Sequence, residues 1–570
     1  MEKVVGAAVN IRSKADRRDR LSAPRAQSLT VFFVLFALFL LRCCALGATY
    51  FPQLDDYIQY HNYAMDRSFP QLVREVGLLA SRPLAGIADY FFWTPMFSRM
   101  ILGVALLSAL YAGYVLCAAR LLRRYFAVGP VFFAVACFLP LGMEGLYWVS
   151  AASRIVTGLF FGVLAARAFA RWLDTGGWGY AALYVPLQLL PFGFYEQSAI
   201  LSMTLVLGMA LLEWKNHRRR TLAALWAFGA LALYALLLRG MAGSGVYASR
   251  AELALPNTPY YWQSFLPEIV RQIGSVFLKG GCLTLVKGFR RGLPIALAHL
   301  PWLIAAAAGC AALAWAALRR RADTAGGGDA VAGPLPTFFA GALLALAPVT
   351  IFFFLANPWF TVRGAAPSLL GIGLMADALA QWLLPRRRRV HAVLAGVLTL
   401  VFLVAPLSEL QDYRDTYEAD QTAARVILDA LADAPADAEI GVLGLEPTYL
   451  PDQNYYYHGH ITGCTGATWS FSGLLTAVHG SRDHPEVTPL PSAPMYRAWN
   501  AEVTRPENFD LFYYYDGQSL RPVTLERTGA HSYSVYETDG ALLGRIWEDA
   551  DATGHFALVA AEGHAKEAVS

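Results

Sequence analysis

Clusters of arginine lie between the long apolar stretches of this chain, and their spacing constrains its fold more than any other feature. Two apolar runs separate each cluster from the next, which is the pattern that the positive-inside rule predicts for a protein that crosses a membrane many times. Each cluster then marks a cytoplasmic end of a helix pair. The clusters are Arg17, Arg18 and Arg20; Arg120, Arg123 and Arg124; Arg167 and Arg171; Lys215 with Arg218 to Arg220; Arg319 to Arg321; and Arg386 to Arg389.

The composition agrees with a chain embedded in a membrane. Of its 570 residues, 56% are hydrophobic and only 15% are charged, and the mean hydropathy is +0.40. A soluble protein of this length needs far more polar surface. The net charge is only +4, and the basic residues lie at predicted helix ends, so helix orientation explains them better than nucleic-acid binding does.

Eleven apolar runs predict the transmembrane helices, and their odd number carries the chain from a cytoplasmic amino terminus to an extracytoplasmic end. The first run has about 20 residues, enough to span a bilayer, and we expect it to remain as an uncleaved helix. Arginine far outnumbers lysine, which is typical of a G+C-rich bacterial genome, so the expected location is a bacterial cytoplasmic membrane. The runs are 28–48, 100–118, 126–142, 152–170, 178–194, 196–213, 221–238, 296–317, 337–356, 366–384 and 391–408.

The sequence therefore predicts a mainly α, polytopic membrane protein with a C-terminal extracytoplasmic α/β or β-rich domain. Residues 1–27 form the basic cytoplasmic amino terminus, and residues 28–408 form the transmembrane domain, with long outer loops at 49–97 and 239–295. Residues 409–570 are more polar and match the size of one compact domain. Within it we expect an amphipathic helix at 412–432 and strands at 439–445, 531–537 and 541–547.

Two adjacent carboxylates, Asp55 and Asp56, follow the first span. Asp55, Gln59, Asn62 and Asp66 recur at helical spacing, which predicts a short helix with a polar stripe. One carboxylate could be a general base that takes a proton from an acceptor hydroxyl. Alternatively, the pair could bind a hard divalent cation, Mg²⁺ or Mn²⁺. An ordinary helix start also favours aspartate in its first turn.

Other ionisable residues lie at the predicted outer ends of the spans. Arginine offers a planar fork for phosphate oxygens, but it can also extend to lipid headgroups. Because an ionised side chain in a membrane is unfavourable by a few kcal/mol unless paired or hydrated, such residues usually line a cavity. Together they predict an outward-facing, substrate-binding cavity that carries both signs of charge. The residues are Arg82 (in Ser81-Arg82-Pro83-Leu84), Glu144, Arg154, Tyr195, Glu196 and Arg363.

The tract Tyr455-Tyr456-Tyr457-His458-Gly459-His460 could stack on sugar rings. Its two histidines lack a third ligand at metal-binding spacing, so the sequence predicts no metal site there.

The opening of the first outer loop, Phe51-Pro52-Gln53-Leu54-Asp55-Asp56-Tyr57, after a basic amino terminus and one span, resembles the lipid-linked-sugar glycosyltransferases of the GT-C class. The chain is most similar to bacterial glucosyltransferase-like membrane proteins that modify surface polysaccharide. Ser81 to Leu84 and Phe194 to Gln197 also look like segments of that group. The resemblance covers residues 28–408. It implies a catalytic aspartate at Asp55 or Asp56. No Asp-x-Asp triplet occurs near Asp55, and in this respect the sequence departs from a metal-dependent enzyme of this class.

The expected function is transfer of a sugar from a polyprenyl-phosphate donor to a cell-surface glycan or similar acceptor, with inversion at the sugar carbon. Arginines would hold the phosphate, and a carboxylate would deprotonate the acceptor. The expected partners are the polyprenyl-phosphate-linked sugar donor, a glycan or lipid-linked acceptor, and membrane lipid. No nucleic acid is expected to bind. Two alternatives stay open: a non-enzymatic transporter or polysaccharide export component, and a lipid-linked glycan polymerase or ligase.

Overall fold

A computed structural model describes residues 25–62, 68–75, 77–241, 253–319, 332–356, 359–385, 387–445, 463–490, 505–548 and 554–559. Its helices are α1 (Arg25–Cys43), α2 (Leu54–Asn62), α3 (Phe69–Glu75), α4 (Pro83–Ala88), α5 (Met100–Leu122), α6 (Pro130–Phe138), α7 (Met143–Tyr147), α8 (Val149–Thr175), α9 (Trp178–Phe194), α10 (Glu196–Thr221), α11 (Trp226–Met241), α12 (Leu266–Gly274), α13 (Gly281–Ala298), α14 (Leu300–Arg319), α15 (Pro334–Leu346), α16 (Leu369–Leu383), α17 (Arg388–Val404), α18 (Leu407–Ala430) and α19 (Thr468–His479).

The chain divides into two compact units. Among the described residues, the first unit holds 25–50 and 68–410, and the second holds 51–62 and everything from 411 onward. The carboxy-terminal boundary lies close to the predicted one at 408/409. Residues 51–62 differ from the expected division, because α2 packs against α19 in the second unit instead of joining the helices of the first.

Long apolar helices make this a membrane-embedded protein. Within the described ranges, eight helical stretches are long and apolar enough to cross a bilayer. They are Pro83–Leu122, Pro130–Tyr147, Val149–Thr175, Glu196–Gly240, Tyr261–Ala298, Leu300–Leu318, Pro334–Phe353 and Arg388–Ala430.

The difference from eleven predicted runs has physical causes. The predicted spans 196–213 and 221–238 both lie in the stretch Glu196–Gly240. The backbone is not helical at His217, and the chain turns back there, so that the hydroxyl of Tyr234 lies 3.4 Å from Glu196 Oε1. Three other predicted spans coincide with shorter helices: the apolar part of α1 (Ser28–Cys43), α9 and α16. Conversely, Tyr261–Ala298 is helical and apolar although the sequence places most of it in an outer loop.

A proline breaks one of these spans, and two buried side chains satisfy the freed carbonyls. Pro140 has no backbone N–H, so the carbonyl of Ala136 loses its helical donor. The hydroxyl of Tyr111 donates to Ala136 O at 2.7 Å, and Arg42 Nη1 donates to Cys137 O at 3.4 Å. Because the carboxy-terminal end of a helix favours positive charge, this environment accommodates Arg42, which is only 2% exposed.

Helices α8 and α10 pack closely in parallel through small residues. Ser198 Oγ donates to Ile155 O at 3.2 Å, and Ser202 Oγ donates to Gly162 O at 3.1 Å. Small side chains allow helix backbones to approach and to share such hydrogen bonds. The amino-terminal ends of α8 and α10 therefore lie side by side, and so do their carboxy-terminal ends.

The second unit is built on a seven-stranded sheet with the order β2-β1-β3-β4-β5-β6-β7. Its strands are β1 (Glu439–Leu443), β2 (Glu486–Leu490), β3 (Leu511–Tyr515), β4 (Leu520–Gly529), β5 (Ser532–Glu537), β6 (Leu542–Glu548) and β7 (Gly554–Leu558). Strand β1 pairs in parallel with β2 and β3, and the strands after β3 form an antiparallel meander. The three predicted strands correspond to β1, β5 and β6, and α18 covers the predicted helix from 412 to 430, so these predictions are confirmed.

Candidate functional site

Three arginine–carboxylate pairs converge around Tyr195, the residue that separates α9 from α10. Their segments are distant in sequence: the loop before α4, the π-helical turn Asp89–Trp93, the amino-terminal turns of α7, α8 and α10, and the 3-10 segment Val362–Ser368. The packing of the first unit brings these segments together. We call the set the Tyr195 cluster: Arg82, Asp89, Glu144, Arg154, Tyr195, Glu196 and Arg363.

Arg82 makes the most complete of the three pairs. Its Nε lies 3.2 and 3.0 Å from the two carboxylate oxygens of Glu196, and its Nη2 lies 2.9 Å from Oε2. The guanidinium carbon also stacks over the ring of Tyr195, 4.5 Å from its centroid. Burial, the largest single effect, lowers the pKa of Arg82, but the charge and hydrogen bond of Glu196 together with Tyr195 outweigh it, so the pKa is raised and the guanidinium stays protonated.

Arg154 and Asp89 form the second pair. Arg154 Nη2 donates to Asp89 Oδ2, and Nη1 donates to the carbonyl of Ser150 at 2.6 Å. The Asp89 side chain is only 1% exposed, whereas that of Arg154 is 23% exposed. The acid is thus the buried member of the pair, and the guanidinium faces outward from it.

Arg363 and Glu144 form the third pair, with Arg363 Nε 3.8 Å from Glu144 Oε1. The guanidinium carbon lies 5.3 Å from the centroid of the Trp148 ring. Exposure follows the same pattern, at 29% for the Arg363 side chain and 2% for that of Glu144. Nearby, Gln197 Nε2 donates to the carbonyl of Gly364 at 2.9 Å and ties α10 to the segment that carries Arg363.

The electrostatic environment of Tyr195 links two of the pairs, and the charge of Arg154 acts on Arg82, which links the third pair to them. Burial raises the pKa of Tyr195; Arg82 and Arg363 oppose this rise, and Glu196 and Glu144 add to it. Groups from four separate segments therefore act on one phenol. All six residues that the sequence predicted for substrate binding thus lie in one cluster.

Two glycines permit the close approaches that position these arginines. A Cβ at Gly145 would lie 2.8 Å from the carbonyl oxygen of Arg363, and a Cβ at Gly193 would lie 2.5 Å from Leu84 Cγ. Real side chains do not tolerate such distances, so only glycine lets the backbone of Arg363 approach α7 and lets α4 approach α9.

A second charged group lies at the other end of α8 and α10. Arg124 makes a bidentate contact with Asp174 at 2.9 and 2.7 Å, and its Nη2 lies 3.8 Å from Glu213 Oε1. The hydroxyl of Tyr125 donates to the same Glu213 oxygen at 3.1 Å. We call these four residues the Arg124 cluster. Along α8, Arg154 and Asp174 are separated by about 20 residues, or ~30 Å of helix, which is close to the thickness of a bilayer's hydrocarbon core.

The two predicted catalytic aspartates lie in the second unit, at the start of α2. Asp56 is fully buried, and its Oδ2 accepts a hydrogen bond from the backbone N–H of Gln53 at 3.0 Å. This is the reciprocal half of a capping box, so Asp56 stabilises the amino terminus of α2. Asp55 is partly exposed. Of the two, Asp55 is the carboxylate with access to solvent.

The surroundings of Asp56 are buried and rich in acidic groups. Asp420 Oδ2 accepts a hydrogen bond from the backbone N–H of Cys464 at 2.8 Å. Burial raises the pKa of the Cys464 thiol, and the nearby charges of Asp420 and Asp56 add to this rise. Burial likewise raises the pKa of Tyr57. Cys464 is therefore a protonated, buried thiol and not a nucleophile.

Within the part of the chain that the structure describes, no group of three or more His, Cys, Asp or Glu side chains is placed to hold a metal ion. A divalent cation at Asp55 and Asp56 stays a prediction. The aromatic and histidine tract at 455–460 lies outside the described residues.

Sequence reasoning missed Asp89, Tyr234 and the two glycines. The signal for Asp89 was present, because a carboxylate directly before the aromatic run Tyr90-Phe91-Phe92-Trp93 needs a cationic partner once that run is buried or in lipid. Tyr234, near the end of α11, donates to the carbonyl of Ser81, and its hydroxyl lies 3.4 Å from Glu196 Oε1.

No protein-family model matches this chain, and no curated protein sequence matches it significantly. The resemblance to GT-C glycosyltransferases therefore stays a prediction from short motifs.

Proposed function

We propose that this chain is a membrane glycosyltransferase that moves a sugar from a polyprenyl-phosphate donor to a glycan or similar acceptor. The observation that carries the proposal is the Tyr195 cluster, in which three arginines each present a partly exposed guanidinium group. A donor of this class carries its phosphate at the depth of lipid headgroups, where the ends of membrane helices lie. Guanidinium groups bind phosphate oxygens by charge-assisted hydrogen bonds.

The reaction adds negative charge to the group that the arginines would bind. The acceptor oxygen attacks the anomeric carbon and gives its proton to a carboxylate, and the bond between that carbon and the phosphate oxygen breaks. The leaving polyprenyl phosphate keeps the bonding electron pair and changes from a monoanion to a dianion. Arginines that are already in position stabilise this developing charge, which is the usual source of the largest rate effect. A single displacement inverts the configuration of the sugar.

The predicted topology belongs to the same proposal. With eleven spans and a cytoplasmic amino terminus, the Tyr195 cluster would face the extracytoplasmic side, and the Arg124 cluster would face the cytoplasm, next to the basic residues Arg120 and Arg123. This arrangement suits a donor whose sugar is presented at the outer leaflet and an acceptor on the cell surface.

We propose Asp55 as the base that accepts the proton, because Asp56 is buried and caps α2. A general base must contact the acceptor hydroxyl, directly or through one water. The partly exposed side chain of Asp55 meets that requirement better than the buried carboxylate of Asp56 does.

The test uses full-length protein in nanodiscs with a radiolabelled polyprenyl-phosphate sugar and surface polysaccharide as acceptor. Asp55→Asn should reduce transfer by about 10²- to 10⁴-fold, the usual contribution of a general base, while Asp56→Asn, checked for normal folding, should retain much of it. Wild-type transfer in both variants would refute a role for either aspartate. To identify the donor without choosing a sugar beforehand, polyprenyl-linked sugars can be profiled in cells that lack the protein, where the unused donor should accumulate.

A further inference from the structure

We propose that Glu196 is an internal anion that occupies Arg82 until the donor phosphate replaces it. The inference rests on the proposed function, because it takes the phosphate of a polyprenyl-linked sugar as the incoming group. In this role Glu196 sets the affinity of Arg82 for the donor and takes no part in the chemical step.

The carboxylate of Glu196 occupies the Nε–Nη2 edge of Arg82, one of the two edges through which a guanidinium group binds two phosphate oxygens. Both carboxylate oxygens lie within 3.2 Å of Arg82 Nε, and Oε2 also lies 2.9 Å from Nη2. Two oxygens of a phosphate match the same planar fork, so carboxylate and phosphate cannot both bind it in this way.

Arg82 has other supports that do not depend on Glu196. The guanidinium stacks on the ring of Tyr195 at 4.5 Å. The preceding residue, Ser81, accepts a hydrogen bond from the hydroxyl of Tyr234 at its backbone carbonyl. If Glu196 rotates away, these contacts keep the fork in position for another anion.

Exposure distinguishes this pair from its two neighbours. The side chains of Arg82 and Glu196 are 29% and 24% exposed, so both can reach water. In the other two pairs the acid is buried, at 1% exposure for Asp89 and 2% for Glu144. A buried carboxylate that moves away from its arginine becomes an unpaired negative charge in a low-dielectric site, which is strongly unfavourable. A partly exposed carboxylate can be solvated by water instead. Glu196 is therefore the acid of the cluster that can give way to a ligand.

The exchange also fits the charges of the reaction. A diester phosphate monoanion replaces one carboxylate, so the total charge around Arg82 is unchanged when the donor binds. After transfer, the returning carboxylate competes with the dianionic product, which otherwise binds arginine more strongly than the substrate does.

The experiment is a calorimetric titration of full-length protein in nanodiscs of phosphatidylcholine. The ligands are farnesyl phosphate, farnesol and inorganic phosphate, each titrated separately. Glu196→Gln keeps the shape of the side chain and removes its charge. It should lower the Kd for farnesyl phosphate by about tenfold, equivalent to ~1.4 kcal/mol. Arg82→Gln combined with Glu196→Gln should show no such gain. Glu268→Gln, which neutralises the acid of an exposed pair with Arg271, is the matched control and should leave the Kd unchanged.

The outcomes separate the two proposals. If wild-type protein binds farnesyl phosphate and Glu196→Gln binds it no more tightly, Glu196 is a static structural partner and the inference fails alone. If no variant binds farnesyl phosphate better than farnesol, both the inference and the proposed donor class fail. Inorganic phosphate binding as tightly as farnesyl phosphate would contradict a lipid-linked occupant. If Glu196→Gln does not fold, Glu196→Asp, whose shorter side chain reaches Arg82 less well, should tighten binding by a smaller factor.

Discussion

The two ends of α8 and α10 both carry arginine–carboxylate contacts, yet they are organised differently. In the Arg124 cluster, one arginine that is 12% exposed serves two acids, Asp174 and Glu213. In the Tyr195 cluster, three arginines each have a separate acid, and their side chains are 23% to 29% exposed. A single, mostly enclosed arginine shared by two acids holds helix ends together. Three partly exposed arginines are accessible to a further anion.

A charged residue near a membrane helix end is therefore not informative by itself. The exposure of the arginine itself is what differs between the two clusters, and we expect it to separate a structural ion pair from a binding group. Arg124 is 12% exposed, between Asp174 at 21% and Glu213 at 3%, whereas each arginine of the Tyr195 cluster is at least 23% exposed and more exposed than its acid. The following predictions test whether this difference separates function from stability.

The largest expected difference is in turnover. Arg82→Gln should lower the rate of sugar transfer by about 10²- to 10³-fold, because it removes a preorganised donor from the leaving phosphate. Arg124→Gln, normalised to folded protein, should leave the rate within about twofold, since it affects only the opposite end of the helices. The measurement is single-turnover transfer from a radiolabelled polyprenyl-phosphate sugar. Equal losses in both variants would show that the two clusters do not differ in function.

The same two substitutions should have the reverse order in stability. Arg124→Gln leaves Glu213, which is 3% exposed, without its guanidinium neighbour, and should lower the free energy of unfolding by about 3 kcal/mol. Arg82→Gln breaks a partly exposed pair and should lower it by about 1 kcal/mol or less. Denaturant unfolding in a constant detergent measures both. A larger loss in Arg82→Gln would make its pair the structural one.

A methyl group at Gly145 should sharpen the comparison through geometry alone. Gly145→Ala places a Cβ against the carbonyl of Arg363, and the displaced arginine should reduce transfer by about tenfold, as expected for misplaced catalytic groups. Gly208→Ala is the control: its Cβ would meet nothing within 4 Å. It should leave the rate unchanged and stabilise α10 by up to ~1 kcal/mol. An unchanged rate in Gly145→Ala would argue against a role for Arg363.

The smallest expected effects come from two matched hydroxyl deletions. Tyr125→Phe removes a 3.1 Å hydrogen bond to Glu213 and should lower stability by ~1 to 2 kcal/mol with little change in rate. Tyr234→Phe removes the hydrogen bond to the carbonyl of Ser81 and should raise KM several-fold at nearly constant kcat, because it loosens the segment that positions Arg82. A stability loss without a KM change in Tyr234→Phe would place this tyrosine with the structural group.

Much of the fold follows from local properties of the sequence. Apolar runs set the membrane helices, and alternating runs near Glu439, Ser532 and Leu542 set strands, because burial of apolar side chains acts at the level of each element. Ionisable residues at helix ends were identifiable as a group, because a charge in an apolar segment needs a partner.

The pairings within that group depend on tertiary packing, which the sequence does not state. The contact between Arg82 and Glu196 requires the glycine at 193, and the contact between Arg363 and Glu144 requires the glycine at 145. The pairing of Asp89 with Arg154, 65 residues away, depends on packing in the same way. The role of Asp56 as a helix cap could have been read from its position three residues after Gln53. The grouping of residues 51–62 with the second unit could not be read from the sequence, because it depends on the packing of α2 against α19.

The most direct test of the account is photocrosslinking of full-length protein in nanodiscs with a polyprenyl phosphate that carries a diazirine next to the phosphate. Labelled peptides are then identified by mass spectrometry, with unlabelled polyprenyl phosphate as competitor. We expect competed labelling of segments that contain Arg82, Tyr195 with Glu196, and Arg363. Labelling confined to the segments around Arg124 and Asp174, or labelling that the competitor does not reduce, would contradict it.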